Sequence, residues 1–403
     1  RNDNASALDD VPAFSLDPDQ QPTTCGGTGG VIPPIPTINY FDPDFKFEQN
    51  MKLSLGVDHR LPWGMVGTID LLYTQTQNSL YIQDNNLQGV VDESTLTYAT
   101  GEGNRARYGV NSPTTGSATP LKQTAAFGNV LEHRNKSDDY AFNGTIQLQK
   151  RFSNGLEFNG GYTYSEAKDP MSLTSSIAFS NYGFATLNGL LNDRELTTST
   201  FSRPHRVVLS GTVNLPADFE FSLIYSGVSG SPYGYVINGD ANADGVGGTN
   251  REFNDLVYVP RDRDDITMFG TTPAAQNAAY DSLATFIGRQ ECLRNQRGQI
   301  MERNSCQNPW LNRMDARLTK VVPTFAGQTM VLSLDVFNLL NLIDSDWGLV
   351  KSTSTFEGQT LVRLRGWDNL NNRGIYSLSL PIVNRVDPNS SVWRMQLSGK
   401  YIW

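Results

Sequence analysis

Apolar and polar residues alternate with a period of two over many stretches of this chain, which is the pattern of β-strands with one apolar face. In the last stretch, Trp393, Met395 and Leu397 begin an apolar series that continues to Trp403, with mostly polar residues between its members. The stretch covers about ten residues, the length of a tilted strand that crosses a bilayer. Similar alternation recurs at residues 51–57, 69–73, 140–148, 156–164, 207–215, 219–225 and 330–336.

The connections between these stretches are alternately short and long. The short ones cover residues 60–64, 152–155, 215–218 and 323–327, and the long ones cover residues 75–138, 167–204, 227–312 and 341–391. Short turns on one side and long loops on the other are typical of an outer-membrane barrel. A soluble β-sandwich also alternates, but it rarely carries structureless loops beyond about 12–15 residues. We therefore predict an all-β fold, a transmembrane antiparallel β-barrel with long extracellular loops, whose apolar positions face lipid.

Four hairpins and a terminal strand make about nine strands. If the C-terminus lies on the periplasmic side, the first strand, near residues 49–59, runs inward. Bacterial single-chain barrels have an even number of strands and start from the periplasm, so we expect the C-terminal portion of a larger barrel, such as the plugged type of about 22 strands. Residues 1–47 are then an extracellular, extended segment leading into the barrel, and residues 48–403 are its strands and loops. The first residue is Arg1, and no signal peptide is present, which favours a processed or internal piece of a longer protein.

Composition excludes several functions. The net charge of −9 argues against a nucleic-acid partner, because the phosphate backbone requires a basic surface. No run of about 18 apolar residues could form a transmembrane helix. The histidines His59, His133 and His205 are scattered, and no catalytic fingerprint is present, so we expect no enzyme. His205 is expected to be a rim residue.

The polar phase of the strands carries a few charged residues. Asp315, Arg317 and Asp335 all fall on positions that would face the barrel lumen. We expect them to form interior salt bridges, with contact to a transported substrate as the alternative.

One short motif resembles a metal site. In residues 240–245 (DANADG), Asp240, Asn242 and Asp244 place side-chain oxygens at positions 1, 3 and 5, and a glycine follows at position 6. A calcium loop begins in this way, because Ca²⁺ needs several oxygens around a sharp turn. The glutamate expected at position 12 is absent, since Arg251 stands there, although Glu252, Asn254 or Asp255 could take its place. A calcium site and a solvated acidic turn both remain open.

Cys292 and Cys306 are separated by a short polar segment, whereas Cys25 lies far away. We favour a disulfide between Cys292 and Cys306 over free thiols. Closing so short a loop would constrain the unfolded chain by about 3 kcal/mol, and it requires an oxidising compartment.

The longest connection, residues 227–312, should have internal structure, because ordering a bare loop of this length is costly. The acidic motif, a helix near residues 273–287 and the disulfide are its candidate supports. Tyr233 and Tyr235 are expected to extend the strand at residues 219–225 beyond the membrane.

Several segments carry a family resemblance. Residues 42–48 (DPDFKFE) resemble the NP-x-L-K-x-E stretch, and residues 332–341 (LSLDVFNLLN) resemble the L-x-V-F-N-L-x-N strand, of TonB-dependent outer-membrane receptors. The final Tyr401-Ile402-Trp403 is similar to their aromatic C-terminus. Further matches, which indicate the Oar-like branch, are residues 203–206 (RPHR), 239–242 (GDAN) and 301–306 (MERNSC), then Pro309, Trp310 and Asp315.

The resemblance implies a bacterial outer-membrane receptor that imports, or binds, a scarce or large ligand using energy from the inner membrane. Its partners would be membrane lipid, the TonB system and the barrel-assembly machinery, which would use Tyr401 and Trp403 as its C-terminal signal. The plug domain, the TonB box and the other strands of such a receptor have no counterpart in this sequence. Two alternatives stay open: a structural or adhesive outer-membrane protein, and a secreted β protein such as a calcium-dependent carbohydrate binder.

Overall fold

The chain is built mainly from β-strands. The computed structural model describes residues 17, 35–136, 139–153, 155–187, 189–247, 253–354 and 358–403. The strands are β1 Ile38–Phe41, β2 Gln49–Leu61, β3 Met65–Gln77, β4 Ser79–Asp84, β5 Thr97–Ala99, β6 Arg105–Arg107, β7 Gly109–Asn111, β8 Ala118–Pro120, β9 Val130–Lys136, β10 Tyr140–Arg151, β11 Leu156–Asp169, β12 Thr197–Thr198, β13 His205–Leu215, β14 Phe219–Val228, β15 Pro232–Asn238, β16 Tyr258–Val259, β17 Thr267–Met268, β18 Gln299–Ile300, β19 Cys306–Gln307, β20 Leu311–Pro323, β21 Thr329–Phe337, β22 Lys351–Ser352, β23 Gly358–Asp368, β24 Arg373–Leu378, β25 Arg385–Val386 and β26 Arg394–Ile402.

Helices are few and short. They are α1 Gln88–Val91, α2 Ala178–Phe184, α3 Pro273–Arg289, α4 Glu291–Arg294, α5 Leu339–Ile343 and α6 Pro388–Ser391. In the described part of the chain, none of them has the length and apolar character needed to span a bilayer.

Nine long strands form one antiparallel meander. Their order in the sheet is β2, β3, β10, β11, β13, β14, β20, β21 and β26, which is also their order in the sequence, and β12 adds a short pairing at the end of β11. Eight of them contain the stretches in which apolar and polar residues alternate, and the ninth, β20, precedes the short connection at residues 323–327. Sequential neighbours pair because short turns join them in hairpins.

Short turns connect the strands at one end of the sheet. Each turn needs backbone with a positive φ, and the chain supplies it with Gly64 (70°), Gly155 (81°), Asp218 (54°) and Gly327 (77°). The long connections all lie at the opposite end. We call them together the loop region, residues 78–139, 170–204, 229–310 and 338–393.

The two faces of the meander differ in polarity. On one face Leu318, Leu334 and Leu397 are directly paired across β20, β21 and β26, and their side chains are exposed. Hydroxyl pairs cross the other face, such as Thr145 with Thr163, Thr212 with Ser222 and Thr319 with Ser333. The apolar and polar positions therefore lie on opposite faces of the sheet, as the alternation predicts.

Hydrophobic cores occur in the loop region and not against the meander. Neither of the two clusters of buried apolar residues in the described chain includes a residue of the nine long strands. A sandwich would bury its apolar face in such a core. An apolar face left without a protein core is the arrangement that lipid requires.

The first core, which we call core A, surrounds a five-stranded sheet with the order β17, β24, β23, β15 and β19. Helix α3 packs on it through Leu283 and Ile287, which are 2% and 1% exposed. The helix begins where Thr272 caps it by accepting a hydrogen bond from the Ala275 amide, and Pro273 occupies its first turn. The predicted helix near residues 273–287 is therefore present and has a core role.

The second core, core B, lies beside a three-stranded sheet with the order β1, β9 and β4. Strand β1 runs parallel to β9, so the segment before the barrel is fastened to the first long loop. Tyr81, Leu131 and Tyr182, from β4, β9 and α2, are among its buried members. Cys25 and most of the predicted extended segment at residues 1–47 lie outside the described residues.

The expected extension of the strand at residues 219–225 by Tyr233 and Tyr235 is wrong. Strand β14 ends at Val228, and β15 pairs instead with β19 and, in parallel, with β23. Residues 229–231 (SGS) separate the two strands, and Pro232 begins β15. Proline has no amide to donate to a continuing ladder, so the chain leaves the barrel sheet there and enters core A.

Candidate functional site

The acidic turn, residues 240–245, follows β15 and lies deep in the loop region. Asp240, Asn242 and Asp244 are 6%, 1% and 1% exposed. The turn is therefore buried, and the alternative of a solvated acidic turn is wrong. Ala243 has a φ of 55° and Gly245 a φ of 90°, which winds the chain tightly around these three side chains. The sequence pattern thus produces a closed turn with its polar groups inside.

The side chains of the turn accept hydrogen bonds from its own backbone. Oδ1 of Asp240 and Oδ1 of Asn242 each lie 3.0 Å from the Asp244 amide nitrogen. Oδ2 of Asp240 accepts from the Gly245 amide at 2.8 Å, and Oδ1 of Asp244 accepts from the Val246 amide at 2.7 Å. These bonds point the three side chains toward the centre of the turn.

Two further residues approach from the segment before β16. The amide nitrogen Nδ2 of Asn254 lies 2.7 Å from Oδ2 of Asp244, and Nδ2 of Asn242 lies 3.1 Å from the same oxygen. Asp255 supports the turn from outside, because its Oδ2 accepts from the Ala241 and Asn242 amides at 2.6 and 3.1 Å. Of the substitutes proposed for position 12, Asn254 reaches the Asp244 carboxylate, whereas Asp255 contacts only the backbone amides of the turn. Arg251 and Glu252 lie outside the described residues.

Two buried arginines lie near this network. Arg107 donates to the Asn111 side chain and lies over the Trp367 ring, and it forms no ion pair with the turn among the described residues. Arg105 pairs with Asp255 at 3.3 Å and with Glu102 at 3.1 Å, and all three side chains are buried. Within the described residues, neither Asp240 nor Asp244 forms an ion pair. Glu102 and Arg105 were missed by the sequence analysis, because they lie about 150 residues from Asp255 and no local pattern connects them.

Burial makes the charged state of the turn costly. It raises the pKa of Asp240 well above its usual value, and the Asp244 carboxylate adds to this effect. It also raises the pKa of Asp244 to about 7, with a further contribution from Asp255. For Asp255, burial raises the pKa and Arg105 opposes the shift. Within the described part of the chain, Asp240 and Asp244 are therefore buried carboxylates without an ion-pair partner.

The ligand chemistry of the turn restricts which cation would fit. No group of three or more His, Cys, Asp or Glu side chains in the described chain is arranged to hold a metal ion. The turn instead offers two carboxylates and the amides of Asn242 and Asn254. Such an all-oxygen set suits a hard cation and gives a softer metal such as Zn²⁺ none of its preferred nitrogen or sulfur ligands.

The acidic turn also connects the two cores. Ala241 belongs to core A, and Val246, directly after the turn, belongs to core B. The first long loop is fastened to it by the Tyr108 amide, which donates to the Asn242 carbonyl at 2.7 Å, and by Asn111, which donates to the Asp240 carbonyl at 2.6 Å. The turn is therefore one connection between the cores, and the hydrogen bond from the Leu256 amide of core A to the Leu187 carbonyl of core B is another.

A disulfide lies at the other side of core A. Cys292 of α4 and Cys306 of β19 are joined, with their Cα atoms 5.1 Å apart. Cys306 is also the register partner of Tyr233 in β15. The link thus holds α4 to the edge of the five-stranded sheet.

Aromatic residues lie at both ends of the apolar face. Near the loop end, His205 stacks on Trp310 with ring centroids 6.0 Å apart, and its Nδ1 lies 2.8 Å from the Tyr162 hydroxyl. At the turn end, Tyr401 and Trp403 are 40% and 91% exposed, with ring centroids 6.4 Å apart. Such belts are expected where an apolar surface meets the two membrane interfaces.

A family model agrees with this geometry. The family model described as "Outer membrane beta barrel domain" matches residues 2–356. Among solved structures, the outer membrane transporter YddB from Escherichia coli aligns with 91% of this chain and 34% of that chain, at 10% identity and a TM-score of 0.43. No curated protein sequence matches the chain. Since the family model covers most of its length, the chain belongs to the outer membrane beta barrel family and lies in the outer membrane.

Proposed function

We propose that this chain is the C-terminal part of the barrel of a TonB-dependent receptor of the Oar-like branch, which imports a scarce or large ligand. The complete receptor would contain about 22 strands and a plug. Its partners would be outer-membrane lipid, the TonB system and the barrel-assembly machinery, which would recognise Tyr401 and Trp403.

The observation that carries this proposal is the open sheet. Strand β2 pairs only with β3, and β26 pairs only with β21, among the described residues. Each edge strand leaves one row of backbone N–H and C=O groups without a partner. In hydrocarbon every such group costs several kcal/mol, about the full value of a lost hydrogen bond, so a membrane barrel has no free edge. This supports the proposal that additional strands join β2 and β26 in the complete barrel.

The polar face supports a solute pathway. It carries charged residues, including Asp70, Arg313, Asp315, Arg317 and Asp335, on positions that would face the lumen. Arg313 pairs with Asp315 at 3.2 Å, and Arg317 pairs with Asp335 at 2.5 Å. A lumen lined with paired charges would be hydrated. Such a lumen favours a plugged transporter over a purely structural protein.

A structural or adhesive protein is the second candidate, because the loop region has two cores of its own and could present a rigid binding surface. The two functions differ in their dependence on TonB. We suggest purifying the full-length protein from outer membranes and measuring its binding to the isolated periplasmic domain of TonB. Binding is expected for a receptor, with an outer-membrane porin as the negative control. Absence of binding would leave the adhesive function as the better account.

A further inference from the structure

We propose that the acidic turn binds one Ca²⁺ ion through Asp240, Asn242, Asp244 and Asn254, and that this ion locks core A to core B. This inference does not depend on transport. It concerns a metal site and its effect on the outer surface of the barrel.

The arrangement of the turn is the first reason. The side chains of Asp240 and Asn242 each approach the same Asp244 amide at 3.0 Å, so their oxygens lie close together. The Asp244 carboxylate is in turn contacted by both asparagine side chains, at 2.7 and 3.1 Å. Four oxygen-bearing side chains therefore meet in one buried volume, around the kind of tight glycine-containing turn that calcium loops use.

Asn254 gives an independent reason. Its side chain is fully buried, and its Oδ1 has no hydrogen-bond partner among the described residues, although its carboxamide lies against Asp244. A buried amide oxygen without a donor is rare and costly. Exchanging the two ends of a carboxamide keeps its shape. After that exchange, Oδ1 of Asn254 faces Oδ2 of Asp244, an arrangement that two oxygens tolerate when a cation lies between them.

Charge leads to the same conclusion. Asp240 and Asp244 are buried, and no cation of the described chain forms an ion pair with them. Arg105 is engaged by Glu102 and Asp255, and Arg107 donates to the Asn111 side chain. Leaving two carboxylates ionised in this environment is unfavourable unless a counter-charge is present. A divalent cation balances the two charges.

Calcium is the divalent cation that fits best. The ligands are all oxygens, and several come from amides, which Ca²⁺ accepts in irregular sets of six to eight. Mg²⁺ demands a smaller octahedral shell and retains several waters, for which an almost fully buried turn leaves little room.

The position of the turn determines what the ion would do. Ala241 packs in core A and Val246 in core B, so the turn links the two cores directly. Strand β15 before it and Leu256 after it also belong to core A. Binding would therefore rigidify the whole loop region rather than one exposed hairpin.

The test uses the full-length protein in outer-membrane vesicles, with CaCl₂ as the probe. Limited proteolysis of the loop region is followed in EDTA, in CaCl₂ and in MgCl₂ at equal ionic strength. Extracellular calcium modules have dissociation constants of about 0.1–1 mM, so about 10 mM Ca²⁺ is expected to slow cleavage about 10- to 100-fold. MgCl₂ is expected to have little effect.

Two variants locate the effect. Asp240→Asn/Asp244→Asn keeps the shape of the turn and should abolish protection by calcium. Asp264→Asn, an exposed carboxylate in the same long loop, should behave like the wild type. If calcium does not protect the wild-type protein, or protects the double variant equally, the proposal is overturned. The wild-type comparison remains decisive even if the double variant fails to fold.

Discussion

Arg317 and Asp335 lie directly opposite each other on β20 and β21, and Nε of the arginine is 2.5 Å from Oδ1 of the aspartate. The second guanidinium contact, from Nη2 to Oδ2, is 3.2 Å. Asp335 is only 6% exposed although it lies on the polar face. The pair shows that the polar face is organised by specific contacts and not only by hydration.

Removing Arg317 should therefore destabilise the barrel. Arg317→Ala leaves the Asp335 carboxylate buried without its donors, which costs about 1–3 kcal/mol. The free energy of unfolding can be measured by urea titration of the full-length protein in lipid vesicles. Arg317→Ala/Asp335→Asn should recover part of the loss. If the double variant is no more stable than the single one, the pair is not the cause.

The outward position of Leu334 predicts a strong asymmetry with its neighbour. Leu334→Arg should cost about 2–4 kcal/mol near the membrane midplane, because a guanidinium is expelled from hydrocarbon. Ser333→Asn, one residue away on the polar face, should be nearly silent. Folding yield into vesicles and urea midpoints would measure both. Equal effects at the two positions would contradict the assignment of faces.

The link between Cys292 and Cys306 should stabilise core A. Replacing both residues with serine removes a constraint on a short loop, and the expected loss is about 3 kcal/mol. Protease resistance of the loop region, with and without reductant, is the measurement. The wild type should become sensitive on reduction, whereas the double serine variant should not change. Labelling of both thiols in intact, unreduced protein would rule out the bond.

Asp265 should make the loop region acid-sensitive. Hydrogen bonds from Arg261, at 2.8 and 3.0 Å, hold the pKa of Asp265 well below its usual value, and the Tyr258 hydroxyl adds a bond at 2.6 Å. A lowered pKa means that the ionised form stabilises the folded state. This contribution is complete above the unfolded pKa of about 4 and is lost as the pH falls below it.

The measurement is the protease sensitivity of the loop region from neutral to strongly acidic pH. At neutral pH the loop region of Asp265→Asn should be less stable than that of the wild type. On acidification it should lose less of its protease resistance. Asp264→Asn, at the neighbouring exposed position, provides the control. An unchanged acid profile in Asp265→Asn would show that other carboxylates dominate.

Asn254→Asp should make the loop region more dependent on calcium. Without calcium, a third carboxylate beside Asp244 adds repulsion in a buried site, so cleavage should be faster than in the wild type. With calcium, the extra charge strengthens the ligand set, and the calcium concentration for half-protection should fall. Asn254→Ala should shift that concentration in the opposite direction. A substitution effect that is identical in EDTA and in calcium would argue against Asn254 as a ligand.

Much of the barrel was predictable from local sequence. A strand that separates lipid from a hydrated face must alternate residue by residue, as residues 330–336 do, because neighbouring side chains point to opposite faces. The hairpin turns were also recognisable, since each needs residues that tolerate a positive φ, such as Gly64 and Gly327. Helix α3 followed from its apolar spacing, and the acidic turn from its order of oxygen ligands.

The loop region was decided by tertiary structure. The parallel pairing of β1 with β9, and of β15 with β23, joins segments that are far apart in sequence and carry no shared local pattern. For the same reason the ion pair of Arg105 with Asp255 was not foreseen. The local periodicity of a segment indicates whether each side chain needs an apolar or a polar environment. It does not indicate which distant segment provides that environment. The choice of segment depends on how the loops fold over one another, and only the three-dimensional structure specifies this.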